Sequence, residues 1–171
     1  MQDRSVTYGS YLAVDELLAL QRPRSEGPEH DEMLFIVIHQ VYELWFKQVL
    51  HELDHVMTLL GSDDAHRAQH SLKRILTILK VMVAQLDILE TMTPPEFNAF
   101  RNVLRPASGF QSVQYRMVEF LLGNKDARML TVHQHAPADH ARHREPGADF
   151  IQELGGERRH QGSRRPSTPI I

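Results

Sequence analysis

From Val14 to Leu122 large apolar residues recur at spacings of three and four, and no stretch alternates apolar and polar positions convincingly. That pattern predicts helices and no sheet. Val14–Gln21 reads as a short apolar helix stopped by Pro23, followed by the polar linker Ser25-Glu26-Gly27-Pro28. Asp31–Leu60 reads as one long helix. Asp31 and Glu32 occupy its first turn, where the macrodipole favours acids, and Gly61 stands at its end. Ala65–Thr91 reads as a second long helix, with Leu72, Ile75, Leu79, Met82, Leu86 and Leu89 on its apolar face. Thr93-Pro94-Pro95-Glu96 is a helix start, an N-cap hydroxyl with Pro in the first turn and Glu three residues on. That helix runs to about Leu104. Arg105-Pro106-Ala107-Ser108-Gly109 breaks it, and a last helix, about Gln111–Leu122, ends at Gly123-Asn124. The expected class is all-α, a helical bundle.

The long helix Asp31–Leu60 is the most informative segment. At 100° per residue, with His39 at zero, Phe35, Tyr42, Phe46, Leu50, Leu53, Met57 and Leu60 fall within about 60° of it. His39 is therefore expected in the middle of the apolar face. A packed histidine bonded to a neighbour is the ordinary outcome there. The alternative is an imidazole offering one nitrogen to a flat heteroaromatic ligand beside Phe35. His51 and His55 fall on the wetter side of the same wheel. His51-Glu52-Leu53-Asp54-His55 matches H-E-x-x-H, so a zinc hydrolase with Glu52 as general base is a second possibility. Against it, position 58 is Thr, and the next Glu after Glu52 is Glu90. Solvated surface histidines are the plainer account.

Arg101 shares a stripe with Phe97 and Leu104. It either snorkels to water or offers a guanidinium fork to a carboxylate. Ser108-Gly109 permits close backbone approach to a ligand, and is equally an ordinary loop. Tyr8 and Tyr11 precede the first helix. They either pack on the chain's own core or reach across an oligomer interface.

Composition changes near Leu130. Residues 1–130 carry 13 Lys+Arg against 17 Asp+Glu, whereas the last 41 residues hold six Arg, five acids and five of the eleven histidines. With so few large apolar residues, 131–171 is expected to be a loose tail with at most a short helix around Asp149–Leu154. The domains expected are thus 1–130, helical, and 131–171, divergent and His/Arg-rich. A net charge of −3 argues against nucleic acid as the main partner. The absence of cysteine excludes disulfides, thiolate metal sites and covalent haem attachment. No apolar run approaches the ~20 residues of a membrane span, and the charged N-terminus is no signal peptide. A cytoplasmic location is expected.

Several strings carry a likeness. Tyr8-x-x-Tyr11-Leu12, His30-Asp31-Glu32-x-Leu34-Phe35-Ile36, His39-Gln40-x-Tyr42-Glu43-Leu44-Trp45-Phe46-Lys47 and Ser108-Gly109-Phe110-Gln111-Ser112 resemble the tryptophan 2,3-dioxygenase family, in order, from about Tyr8 to Leu130. The resemblance implies an all-α enzyme with non-covalent haem (heme b, ferrous iron), usually a homotetramer. Its partners would be L-tryptophan and O₂, and its product N-formylkynurenine, the first step of tryptophan catabolism along the kynurenine pathway. By position, His39 would be the distal histidine that meets the indole N–H, with Phe35, Ile36, Val37 and Ile38 lining the same wall. Arg101 would clamp the substrate carboxylate. Ser108 and Gly109 would form the loop over the haem, with Leu104 nearby. Tyr8, Tyr11 and Leu12 would reach into a neighbouring subunit's site. Phe97 stands where the family often has Tyr, which implies weaker binding. The family's axial haem histidine has no counterpart here, because His133, His135, His140, His143 and His160 lie in a context that does not match it. The change after Leu130 is therefore read as a frameshift or truncation. A catalytically dead helical oligomer is the chief rival to an active dioxygenase.

Overall fold

The computed structural model describes residues 6–27 and 29–126. The expectations for 131–171, a loose tail with a short helix near Asp149–Leu154, lie outside these residues. The described residues are helical, in two compact units divided after Ser108. No described helix is long and apolar enough to cross a membrane.

The first unit is built on a helical hairpin. Helix α3 (Asp31–Gly61) and helix α4 (Ala65–Ala84) are joined by a turn at Ser62–Asp64. Gly61 is the last residue of α3, as expected, and the left-handed residue of the turn is Asp63, at φ 58°. A short acid tolerates that conformation because its side chain can bond locally. Asp64 then caps α4 by accepting from the Arg67 N–H at 3.1 Å. The core is Val49, Leu53, Val56 and Leu59 of α3 with Ala68, Ile75, Ile78 and Met82 of α4. Small side chains at Ala68 and Ser71 let the two backbones come close. The Tyr42 hydroxyl donates to the Met82 carbonyl at 2.6 Å and ties the far end of the hairpin.

The remaining elements are shorter than the sequence pattern predicts. The single helix expected over Ala65–Thr91 breaks at Gln85, and α5 (Leu86–Leu89) follows as a separate turn. The expected helix Val14–Gln21 stops at Leu18, forming α2 (Val14–Leu18). An unforeseen turn, α1 (Tyr8–Leu12), precedes it, capped by Thr7 and separated from α2 by left-handed Ala13. Helix α6 (Pro94–Phe100) starts at the expected capping box, in which the Glu96 carboxylate accepts from the Thr93 N–H at 2.7 Å. It does not run on to Leu104 as an α-helix, because Arg101–Leu104 tightens into a 3-10 turn. In the second unit a 3-10 turn at Gly109–Gln111 leads into α7 (Val113–Leu121), two residues shorter at its start than expected. The Ser112 hydroxyl caps α7 by accepting from the Tyr115 N–H at 3.1 Å, and Gly123, at φ 97°, lies just past the helix end.

Glu52 is a buried charge within the hairpin, only 3% exposed. Burial alone would raise its carboxyl. Hydrogen bonds from Arg74, Ser71 and Gln48, and the Arg74 charge, outweigh burial and hold it below the ordinary 4.5. The Arg74 guanidinium meets Oε1 at 2.7 Å. As pH falls the unfolded chain binds this proton first, so the stabilisation is complete above the ordinary value and disappears through the lower folded one. Arg74→Ala is expected to cost about 1–3 kcal/mol at neutral pH by stranding a buried carboxylate. That cost shrinks once acid protonates Glu52, and circular-dichroism melting across the acid range measures both.

Candidate active site

The described segment from Phe35 to Arg101 carries an aromatic surface in which each member is fixed by helix spacing. Phe35 and His39 are one turn apart on α3, so their rings lie over one another with centroids 4.1 Å apart. Helix α6 brings Phe97 and Phe100 to Phe35, at 5.9 and 5.6 Å, and the two meet each other edge-to-face at 5.5 Å. Phe100, 1% exposed, anchors the cluster. The Arg101 guanidinium lies 5.9 Å from the Phe97 ring centroid, within cation–π range. His39, Phe35, Phe97 and Arg101 are thus linked in sequence across two helices.

The expectation that His39 occupies the middle of the buried face is corrected. His39 is exposed, as are Val37 and Arg101, whereas Ile38 is 6% exposed and Phe35, Ile36, Phe97 and Leu104 are half-buried. The most buried side of α3, marked by Ile38, Val49 and Val56, is turned by about 100° from His39 on an ideal wheel. Helix α4 selects that side, leaving the Phe35/His39 stripe as an open wall.

The His39 bond settles which nitrogen faces outward. Nδ1 lies 2.7 Å from the Phe35 carbonyl oxygen. A carbonyl only accepts, so in the neutral ring Nδ1 carries the proton and Nε2 presents a lone pair. The wall therefore offers an acceptor beside an aromatic face, with a cation at its other end.

The zinc arrangement does not assemble. His51 and His55 are exposed as expected, and Glu52, which lines the same groove, is buried and tied to Arg74. The groove lined by His51, Glu52, Asp54, His55, Thr58 and Arg74 holds no group of three ligands suited to a metal among the described residues. Tyr8, Tyr11 and Leu12 are all exposed, so neither tyrosine packs on this chain's own core. Ser108 closes the first unit and Gly109 opens the second. A Cβ at Gly109 would meet nothing, so no neighbouring atom requires glycine there.

Three features were missed from sequence. Phe100 completes the aromatic cluster, and its place three residues after Phe97 is the signal that could have found it. Glu32 reads from sequence as a first-turn acid and Gln40 carries no signal beyond its motif, yet both hold the backbone of a preceding segment. Only the polar run before α3 hinted at that.

The sequence matches the family described as tryptophan 2,3-dioxygenase over residues 1–145. The chain belongs to the tryptophan 2,3-dioxygenase family. A protein named tryptophan 2,3-dioxygenase from Herpetosiphon aurantiacus is 65% identical over 127 residues, 74% of this chain and 49% of that protein. One of the same name from Anaeromyxobacter sp. strain K is 58% identical over 138 residues, 81% of this chain and 51% of its own. Another, from Xanthomonas campestris pv. campestris, is 49% identical over 140 residues, 82% and 47% of the two chains. The chain spans about half the length of these curated relatives. The family match extends past the compositional change at Leu130, into residues outside those described.

His51→Ala and His55→Ala, together, are expected to leave the melting temperature and zinc content of the purified protein unchanged. Metal analysis and calorimetry of the double variant read both.

Proposed function

We propose that this chain contributes the substrate-facing wall of a haem-dependent dioxygenase that opens the indole ring of L-tryptophan to N-formylkynurenine. The observation that carries the proposal is the fixed tautomer of His39. Its free Nε2 accepts the indole N–H while the indole ring lies along Phe35. Arg101, at the opposite end of the aromatic cluster, holds the substrate carboxylate through its guanidinium fork. Ile36, Val37 and Ile38 continue the wall. A half-buried aromatic face rimmed by an imidazole and a guanidinium fits a flat apolar macrocycle. Leu104 and Ser108, near the end of the first unit, would border that group. Haem, when bound, supplies the ferrous iron that activates O₂, which no side chain can do. The exposed pair Tyr8 and Tyr11, with Leu12, fits an interface with a second copy, in a homo-oligomer. Residues 1–130 form the dioxygenase-like part in this account, and 131–171 a divergent tail.

Haem titration of the purified chain, followed by L-tryptophan, tests the proposal. A Soret band that forms and shifts with tryptophan is the expected result. No haem uptake and no tryptophan binding would sink it and favour the inactive helical oligomer.

Arg101→Leu is expected to weaken L-tryptophan binding by about 10- to 100-fold, the worth of a charge-assisted hydrogen bond. Tryptamine, which has no carboxylate, should bind wild type and variant alike in equilibrium dialysis. Phe97→Tyr adds a hydroxyl beside Arg101 and is expected to tighten L-tryptophan binding by several-fold, about one ordinary hydrogen bond.

A further inference from the structure

The segment Leu20–Ser25 is tied to α3 at two places. Near its end the Glu32 carboxylate accepts from the Arg24 N–H at 2.7 Å, from the Ser25 N–H at 3.1 Å and from the Ser25 hydroxyl. Near its start Gln40 Nε2 donates to the Leu20 carbonyl at 3.3 Å, and Gln40 Oε1 accepts from Gln21 Nε2 at 2.5 Å. The strap thus runs antiparallel to α3, with Leu20 at Gln40 and Arg24 at Glu32.

The two anchors leave it little slack. Glu32 and Gln40 are separated by about 12 Å of helix. The four steps from Leu20 to Arg24 reach at most ~14 Å when fully extended. On an ideal wheel Glu32, Ile36 and Gln40 lie at about 20°, 60° and 100° from His39, whereas Phe35 lies about 40° the other way. The strap therefore crosses Ile36 on one side of the Phe35/His39 stripe. Helix α6, which meets Phe35 through Phe97 and Phe100, occupies the other.

We propose that Glu32 is a positioning residue: by clasping the backbone of Arg24 and Ser25 it fixes the strap as the second bank of a trough whose floor is Phe35 and His39. The proposal deepens, and rests on, the reading of that stripe as the indole-binding wall. Glu32 suits the role physically. It is 1% exposed, and burial alone would raise its carboxyl. The bonds from Arg24 and Ser25 outweigh burial and hold it below the ordinary value, so the clasp is charged at neutral pH. An ordinary first-turn acid on a helix faces water and needs no such partners. Glu32 differs because three donors from one short segment converge on it.

The test is NMR of the whole chain as wild type and as Glu32→Gln. Amide exchange at Arg24 and Ser25 should quicken about ten-fold or more, as expected for loss of charge-assisted bonds. Val49 and Ile75, in the hairpin core, should keep their protection. The His39 ring resonances should shift in the free protein, and several-fold more L-tryptophan should be needed to perturb them. Unchanged exchange at Arg24 and Ser25 overturns the clasp. Faster exchange with His39 resonances left in place overturns the positioning role, because a purely structural tie would do that. If wild-type His39 does not respond to L-tryptophan, the indole-binding reading falls, and the free-protein shift still decides whether Glu32 positions the wall. Should Glu32→Gln fail to fold, Gln40→Leu cuts the strap at its other anchor. Faster exchange at Arg24 and Ser25 together with a His39 shift supports the proposal there, and either one missing overturns it.

Discussion

The rotational setting of α3 against α4 governs the rest of the molecule. A helix of 31 residues carries apolar side chains on more than one face, and only one of them can be pressed into the hairpin. The choice falls on the side of Ile38, Val49, Val56 and Leu59 because α4 offers the matching row of Ala68, Ile75, Ile78 and Met82. Burying that side is the dominant favourable term in the hairpin. The part of the neighbouring stripe that α4 leaves uncovered is then held at a fixed angle at the margin of the hairpin. Phe35 and His39 belong to that stripe, which is why they form a wall and not a core.

Charge placement reinforces the same setting. Glu52 and Arg74 join α3 to α4 inside the hairpin, while Glu32 joins α3 to the strap outside it. Both carboxylates are removed from water, and hydrogen bonds that include donors from a different segment keep each one charged. A carboxylate in such a place tolerates little sliding of its partners. Glu52 therefore resists slippage of the hairpin, and Glu32 resists lifting of the strap. The two act at opposite ends of one helix.

Much of the fold was legible in the sequence, and the reasons for the misses are specific. The capping box at Thr93–Glu96 and the left-handed Gly123 are local signals, and the helices begin and end beside them as their chemistry requires. Gly61 marks the end of α3 as expected, although the turn after it takes its left-handed residue at Asp63. The break at Gln85 and the 3-10 turn at Arg101 have no local signature, since the residues there are ordinary helix formers. Spacing and resemblance single out Phe35, His39, Phe97 and Arg101, and the structure joins these four through ring contacts. Their burial was not legible. A helical wheel gives the angle between two side chains, but the partner helix decides which angle is inside.

The bond between His39 and its own helix has a consequence for ligand choice. With Nδ1 spent on the Phe35 carbonyl, the neutral ring can greet a visitor only as a lone pair. Bicyclic rings that replace the pyrrole nitrogen by oxygen or sulfur would meet lone pair with lone pair, and be turned away despite an identical outline. One backbone carbonyl thereby gives a greasy wall a sense of which heteroatom stands before it.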